Sequence, residues 1–167
     1  MFKDKERIFF KAVLDSKAKY ISYGIITLSI ITFFVIFIIN GVGSITGAIF
    51  FIWWGIIFFS YLFSPMGYTI NHKSISILTR IKRFKILLSD IKEIKKLEKE
   101  ALSQSVRVFG IGGLFGYTGL FYSKNLKFYL SFCTSHDRLI MIKARRVYLI
   151  SPEDRDLFYK IIEKGLS

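Results

Sequence analysis

Ile21 to Ile39 reads ISYGIITLSIITFFVIFII, and Ile45 to Phe63 reads ITGAIFFIWWGIIFFSYLF. No Asp, Glu, Lys or Arg occurs from Tyr20 to His72. Each run has 19 residues, so as an α-helix each extends roughly 28 Å at ~1.5 Å per residue, close to the ~30 Å hydrocarbon core of a bilayer. Between them, Asn40-Gly41-Val42-Gly43-Ser44 is a short turn rich in helix stoppers. Two spans joined by so short a turn return to the side they left, so residues 20–64 read as a transmembrane hairpin with spans at 21–39 and 45–63. A buried hairpin of a soluble α domain is the weaker reading, because soluble core helices rarely stay apolar on every face for five turns. A cleaved signal peptide also fits poorly: no A-x-A-type site follows the first run, and a second span comes directly after it. Tyr20, Tyr23, Trp53, Trp54 and Tyr61 are compatible with interfacial anchoring, although the two Trp fall mid-span.

The charge distribution orients the hairpin. The 167-residue chain carries 25 Lys and Arg against 12 Asp and Glu, a net charge of +13, although 52% of its residues are hydrophobic. Residues 1–19 hold six basic and three acidic groups; residues 73–167 hold 19 and nine. The uncharged turn and the basic flanks place both termini in the cytoplasm by the positive-inside rule, making this a multi-pass protein of the cytoplasmic (inner) membrane. The single Cys133 then sits in a reducing compartment, with no disulfide expected. Within residues 1–19, Ile8, Phe9, Ala12 and Val13 recur at helical spacing among Lys5, Arg7 and Lys11. That pattern fits a short amphipathic helix on the inner leaflet, or a segment packed on the soluble domain.

After Ser64-Pro65 the texture changes to short runs broken by turns. Residues 68–70, 75–79 and 84–88 read as antiparallel strands, the last with Phe84, Ile86 and Leu88 on one face. Ser89-Asp90 either caps a helix carrying Ile91, Ile94 and Leu97 or forms a turn into a strand. Residues 127–132, 138–143 and 146–150 are aromatic and β-branched strands, with Ser135-His136-Asp137 and Ala144-Arg145 as turns. The final element is a helix with Ser151 as N-cap, Pro152 at its first position, an apolar stripe of Leu157, Phe158, Ile161 and Ile162, and Gly165 as its stop. Six or seven strands followed by one amphipathic helix fit an all-β barrel whose open end is plugged by that helix.

The glycine-aromatic stretch from Arg107 to Gly119 (RVFGIGGLFGYTG), the strands RLIMIK and RVYLI, and the Ser151-Pro152 start of the last helix together resemble the bacterial pleckstrin-homology-like (PH-like) family, whose members often follow a pair of membrane spans. The resemblance covers roughly residues 66–164. It implies an α+β membrane protein: a two-helix hairpin followed, over residues 65–167, by a cytoplasmic PH-like antiparallel β-barrel, seven-stranded and partly open, capped by a C-terminal α-helix. It also implies a binding or assembly module rather than an enzyme, with no ligand residues to carry over.

Gly110, Gly112, Gly113, Gly116 and Gly119 invite comparison with phosphate-binding loops, but Phe115 stands where a third dinucleotide-fold glycine belongs, and no Gly-Lys-Ser/Thr follows. Those glycines instead allow tight turns or a strongly bent strand, and Phe109, Phe115, Tyr117 and Phe121 form a candidate membrane or partner-contact loop. Lys73, Arg80, Lys82, Arg83 and Lys85 form the best basic cluster, a candidate contact for anionic lipid. Lys143, Arg145 and Arg146 form a second, read as a solvated turn. Neither is interleaved with base-stacking aromatics, so nucleic acid is not an expected partner. Ser135-His136-Asp137 contains triad residue types, yet neighbours in one turn lack the ordered contacts of a triad. Two His and one Cys give no metal-ligand spacing, so no catalytic residue, metal or cofactor is expected. The expected function is scaffolding or protein–protein assembly at the membrane, with lipids and a protein partner or a second copy as binding partners. Anionic-lipid sensing, or service as an accessory subunit of a membrane enzyme or transporter, is the alternative. Gly43, Ser44, Gly47 and Ala48 offer small surfaces for helix packing.

Overall fold

The computed structural model describes residues 7–40 and 43–166. Lys5 and the Gly41-Val42 part of the interhelical turn lie outside the described residues. Two helices, α1 (Ser16–Asn40) and α2 (Ser44–Phe63), precede a β-rich domain that ends in a third, α3 (Arg155–Leu166). Both α1 and α2 are long and apolar enough to cross a membrane, and only 6% and 11% of their most apolar windows are buried within the chain. They meet through Phe33 on Phe50, ring centroids 4.1 Å apart, and through Trp53 Nε1–H, which donates to Ser29 Oγ at 2.8 Å. Trp53 thus finds its partner inside the hairpin.

Among the described residues, ten strands form two sheets. The first, in spatial order, is β1 (Ile8–Lys11), β2 (Pro65–Ile70), β3 (Ser74–Thr79) and β4 (Arg83–Leu87), all antiparallel. The second runs β5 (Glu93–Leu97), β9 (Leu139–Lys143), β10 (Val147–Ile150), β8 (Lys127–Cys133), β7 (Tyr117–Ser123) and β6 (Val106–Gly112). The expected single, partly open antiparallel barrel is not formed; the strands make two sheets that do not close into a barrel. After β4 a 3₁₀ turn at Leu88–Asp90 redirects the chain, and β5 pairs with β9 instead of extending the first sheet. In addition, β10 inserts between β9 and β8 and runs parallel to β8, with Val147 opposite Tyr129. The open choice at Ser89-Asp90 resolves as a turn leading into a strand.

Of the two readings of the N-terminal segment, packing on the β-rich domain is the one its described residues show: Ile8–Lys11 is a strand rather than a helix on a lipid surface. Ile8 pairs with Ile70 and Lys11 with Gly67. Phe10 and Ala12 are buried while Phe9 is exposed, a period-two pattern that fills the free edge of β2 and puts Phe10 in the core. That core lies between the two sheets and α3, and includes Tyr68, Ile77, Phe132, Ile142, Phe158 and Ile162.

The start of α3 also differs from expectation. Asp154, not Ser151, is the cap: its Oδ1 accepts from the Leu157 N–H at 2.9 Å. The Ser151 hydroxyl is committed elsewhere, since its Oγ accepts from the Thr134 and Ser135 N–H groups at 2.7 and 3.2 Å. Leu157 lies off the buried stripe at 48% exposure, and α3 continues past Gly165.

Cys133 is buried, and burial pushes its thiol up to about 12. Native protein should therefore not react with maleimide at pH 8, where almost no thiolate exists, and should yield one reactive thiol once denatured. Rapid labelling of the native chain would contradict this packing.

Candidate functional site

The β3–β4 turn sits against the end of α2. In the register of the first sheet, Pro65 is opposite Thr79, so the residues following Thr79 lie beside the helix exit. The last carbonyls of a helix lack intrahelical donors and carry partial negative charge. The Tyr61 carbonyl accepts from the Ser64 N–H at 3.3 Å, and Arg80 adds a charged donor: Nη1 donates to the same carbonyl at 3.1 Å, and the guanidinium lies 3.8 Å from the Tyr61 ring centroid. The turn is tight because Thr79 Oγ1 accepts from the Lys82 N–H at 3.0 Å and donates to the Lys82 carbonyl at 2.8 Å. At its tip Ile81 is 53% exposed, flanked by Arg80, Lys82 and Arg83.

Arg80, Lys82 and Arg83 are therefore brought together beside α2. Lys85 lies mid-strand on β4 opposite Ser76, with its side chain exposed. Lys73 precedes β3 at the far end of that strand, roughly 20 Å away at ~3.3 Å per residue. The five cations that the sequence groups are therefore not one patch: Arg80, Lys82 and Arg83 lie beside α2, Lys85 midway along β4, and Lys73 at the far end of the sheet.

The glycine-aromatic hairpin β6–β7 meets both helices. Gly110 and Gly119 face each other across the ladder at φ +124° and +143°. A Cβ on Gly119 would collide with the Phe109 carbonyl oxygen, and one on Gly110 with that of Thr118, so only glycine permits this approach. In the turn, Phe115 N–H donates to Ser22 Oγ of α1 at 2.9 Å, and its carbonyl accepts from Ser64 Oγ at 2.6 Å. Its ring stands edge-on to Tyr61 at 5.3 Å. Phe115 thus ties α1, the exit of α2 and the β domain together.

Of the other aromatics proposed as a contact loop, Tyr117 stacks on His136 at 3.8 Å and Phe121 on Tyr129 at 5.7 Å. Phe109, 78% exposed on the edge strand β6, is the one that faces outward. His136 is held below its usual pKa by burial. Ser135 Oγ accepts from the Asp137 N–H at 3.2 Å, so Ser135, His136 and Asp137 make a turn with a stacked ring and no proton relay.

The bacterial PH domain model matches residues 66–165. The chain belongs to the bacterial PH domain family. No curated protein and no solved structure matches it. Bacterial PH domains are typically non-catalytic, and PH domains generally bind lipids or proteins. In this PH domain β1 lies outside the matched segment and still completes the first sheet. Tyr68 carries no local sequence signal of its role: its buried hydroxyl donates to the Phe132 carbonyl at 2.6 Å and accepts from the Ser151 N–H at 3.2 Å, joining the two sheets. Burial raises its pKa, so it remains a neutral phenol. Ser22 and Ser64, the partners of Phe115, are single hydroxyls at the ends of apolar runs and carry no local pattern. The clue available was Ser64-Pro65, a polar residue and a helix stop directly before a strand.

Proposed function

We propose that this bacterial PH domain protein is a non-catalytic binding and assembly module, anchored in the cytoplasmic membrane by α1 and α2 with both termini in the cytoplasm. Its β3–β4 turn lies on the anionic inner leaflet. Two nearly unburied apolar helices support the anchoring, because side chains such as Ile38 and Phe51 are otherwise left in water. The observation that carries the reading is the pinned turn: Arg80 fixes it to the last turn of α2, so the headgroup region that receives α2 also receives Ile81, Lys82 and Arg83. Each basic group at such a surface adds ~1 kcal/mol of attraction to anionic lipid, while the apolar tip enters the interface. Arg80 acts as the staple and Lys82 and Arg83 as the lipid-facing charges. Lys73, at the other end of the sheet, takes no part.

An Ile81→Cys variant tests this, labelled with an environment-sensitive maleimide dye while Cys133 stays masked. In full-length protein reconstituted in nanodiscs, dye emission should shift to the blue with phosphatidylglycerol relative to phosphatidylcholine, and high salt should reduce the difference. Identical spectra in the two lipids would overturn the proposal.

A further inference from the structure

The six-stranded sheet has a second face, turned away from α3. Alternation within β5 separates the two: Lys96 reaches Asp156 and Tyr159 of α3, whereas Lys95 and Leu97 enter an open groove of ≈ 950 Å³ walled by β5, β8, β9 and β10. Its floor is apolar, made by Leu97, Tyr129, Met141 and Val147. Its rim is cationic, with Lys95, Lys127, Lys143, Arg145 and Arg146 against one lining carboxylate, Glu93.

Most of these charges already have partners. Glu93 pairs with Lys95 and, at 3.6 Å, with Lys143, and Arg145 pairs with Asp90 at 3.1 Å. Lys127 and Arg146 have no ion pair among the described residues. Lys127 moreover holds a φ of +57°, a left-handed backbone that glycine adopts at lower cost. Strain is thus kept at the point where an uncompensated cation is presented over an apolar floor.

The groove also lies away from the helices. Cys133, at one end of β8, adjoins Thr134, whose carbonyl accepts from the Asp15 N–H just before α1 at 3.0 Å. Lys127 is at the other end of β8, roughly 20 Å away at ~3.3 Å per residue. Surface potentials decay within ~8 Å at physiological salt, so a bilayer surface at the helix end does not govern this rim. An acidic, partly apolar ligand arriving from solution matches both the floor and the charge.

We infer that this groove docks an acidic peptide segment of a soluble protein, with apolar side chains at alternate positions seated on the floor and carboxylates on Lys127 and Arg146. The inference rests on the binding-module part of the proposed function and is independent of lipid contact at Ile81.

The test uses full-length protein in phosphatidylcholine nanodiscs and a dye-labelled peptide of alternating Glu and Leu, followed by anisotropy. Saturable binding is expected, weakened at least about tenfold in the K127G/R146Q variant and by raised salt, and unchanged in R83Q. Gly at 127 suits the left-handed backbone, and an unfolding midpoint no lower than wild type verifies the fold. Absence of saturable binding, equal binding by a Glu-Ser peptide of the same charge, or an undiminished affinity in K127G/R146Q overturns the inference. Competition by phosphatidylglycerol vesicles as effective as by unlabelled peptide also overturns it, assigning the groove to lipid. A persisting lipid-dependent shift at residue 81 shows that such a failure belongs to the groove alone.

Discussion

Phe158→Ala is expected to destabilise the PH domain by about 3–5 kcal/mol, a large part of the ~5–15 kcal/mol that holds a typical domain folded. Phe158 is fully buried on the inner side of α3, its ring edge-on to Phe10 at 5.0 Å and to Tyr68 at 6.2 Å. From α3 it therefore touches both a strand outside the matched family segment and a strand inside it. Truncation removes the transfer energy of a large aromatic and leaves a cavity that rigid strands on either side do not close. Leu157, one residue earlier and 48% exposed, is the control, and Leu157→Ala should change stability by no more than about 0.5 kcal/mol. Urea unfolding of the full chain in mild detergent, read by near-ultraviolet tyrosine dichroism, makes the comparison. Trp fluorescence is unsuitable because both tryptophans lie in α2. Equal effects of the two substitutions would mean that α3 presents a different face to the core.

Gly119→Ala is the second large effect, with a cost of about 2–5 kcal/mol from combined backbone strain and overpacking. The residue holds φ +143°, and its added Cβ would run into the Phe109 carbonyl oxygen across the ladder. The atoms it meets, of Phe109 and Gly110, are all backbone rather than a flexible side-chain end, so the β6–β7 hairpin must change register. The consequence extends beyond stability, because the same hairpin carries Phe115 to Ser22, Ser64 and Tyr61. Proteolysis between the helices and the β domain should accelerate in this variant. Gly55→Ala in α2, where nothing lies within 4 Å of the new Cβ, should leave both readouts near wild type. A Gly119→Ala protein with wild-type unfolding and wild-type protease resistance would refute the close glycine approach.

Most strands were legible because their pattern is local. Residues 75–79, 84–88, 127–132 and 138–143 alternate or cluster β-branched and aromatic side chains between polar turns, and strands form within a residue or two of each. Ile8–Lys11 was not legible in the same way: four residues at a period of two also fit a helical spacing once Ala12 and Val13 are counted. What decides between them is the open edge of β2, more than 50 residues further along the chain. Ser151 shows the same limit, since a serine before a proline and two acids reads as a cap until the β8–β9 loop claims its oxygen.

At the candidate site, residue types were legible and grouping was not. A run of cations from Lys73 to Lys85 looks like one cluster in one dimension, yet the length of β3 separates Lys73 from Arg80, and Lys85 returns only halfway along β4, opposite Ser76. Conversely Lys95, Lys127 and Arg146, distant in sequence, line one groove because β5, β8, β9 and β10 share a sheet.

Composition and periodicity by themselves determined the two apolar helices, the change to β structure after Ser64 and the terminal amphipathic helix, while the residues of the Arg107–Gly119 stretch and the Ser151-Pro152 entry carried the family resemblance. Each follows from side chains within a few residues of one another, where helical and strand periods act directly. Tertiary structure alone decided that the strands form two open sheets, that β10 runs parallel to β8, that Arg80 and Phe115 fasten the domain to its helices, and which cations remain unpaired. Those outcomes depend on hydrogen-bond ladders and charge pairs between distant segments, whose partners exist only once the chain has folded.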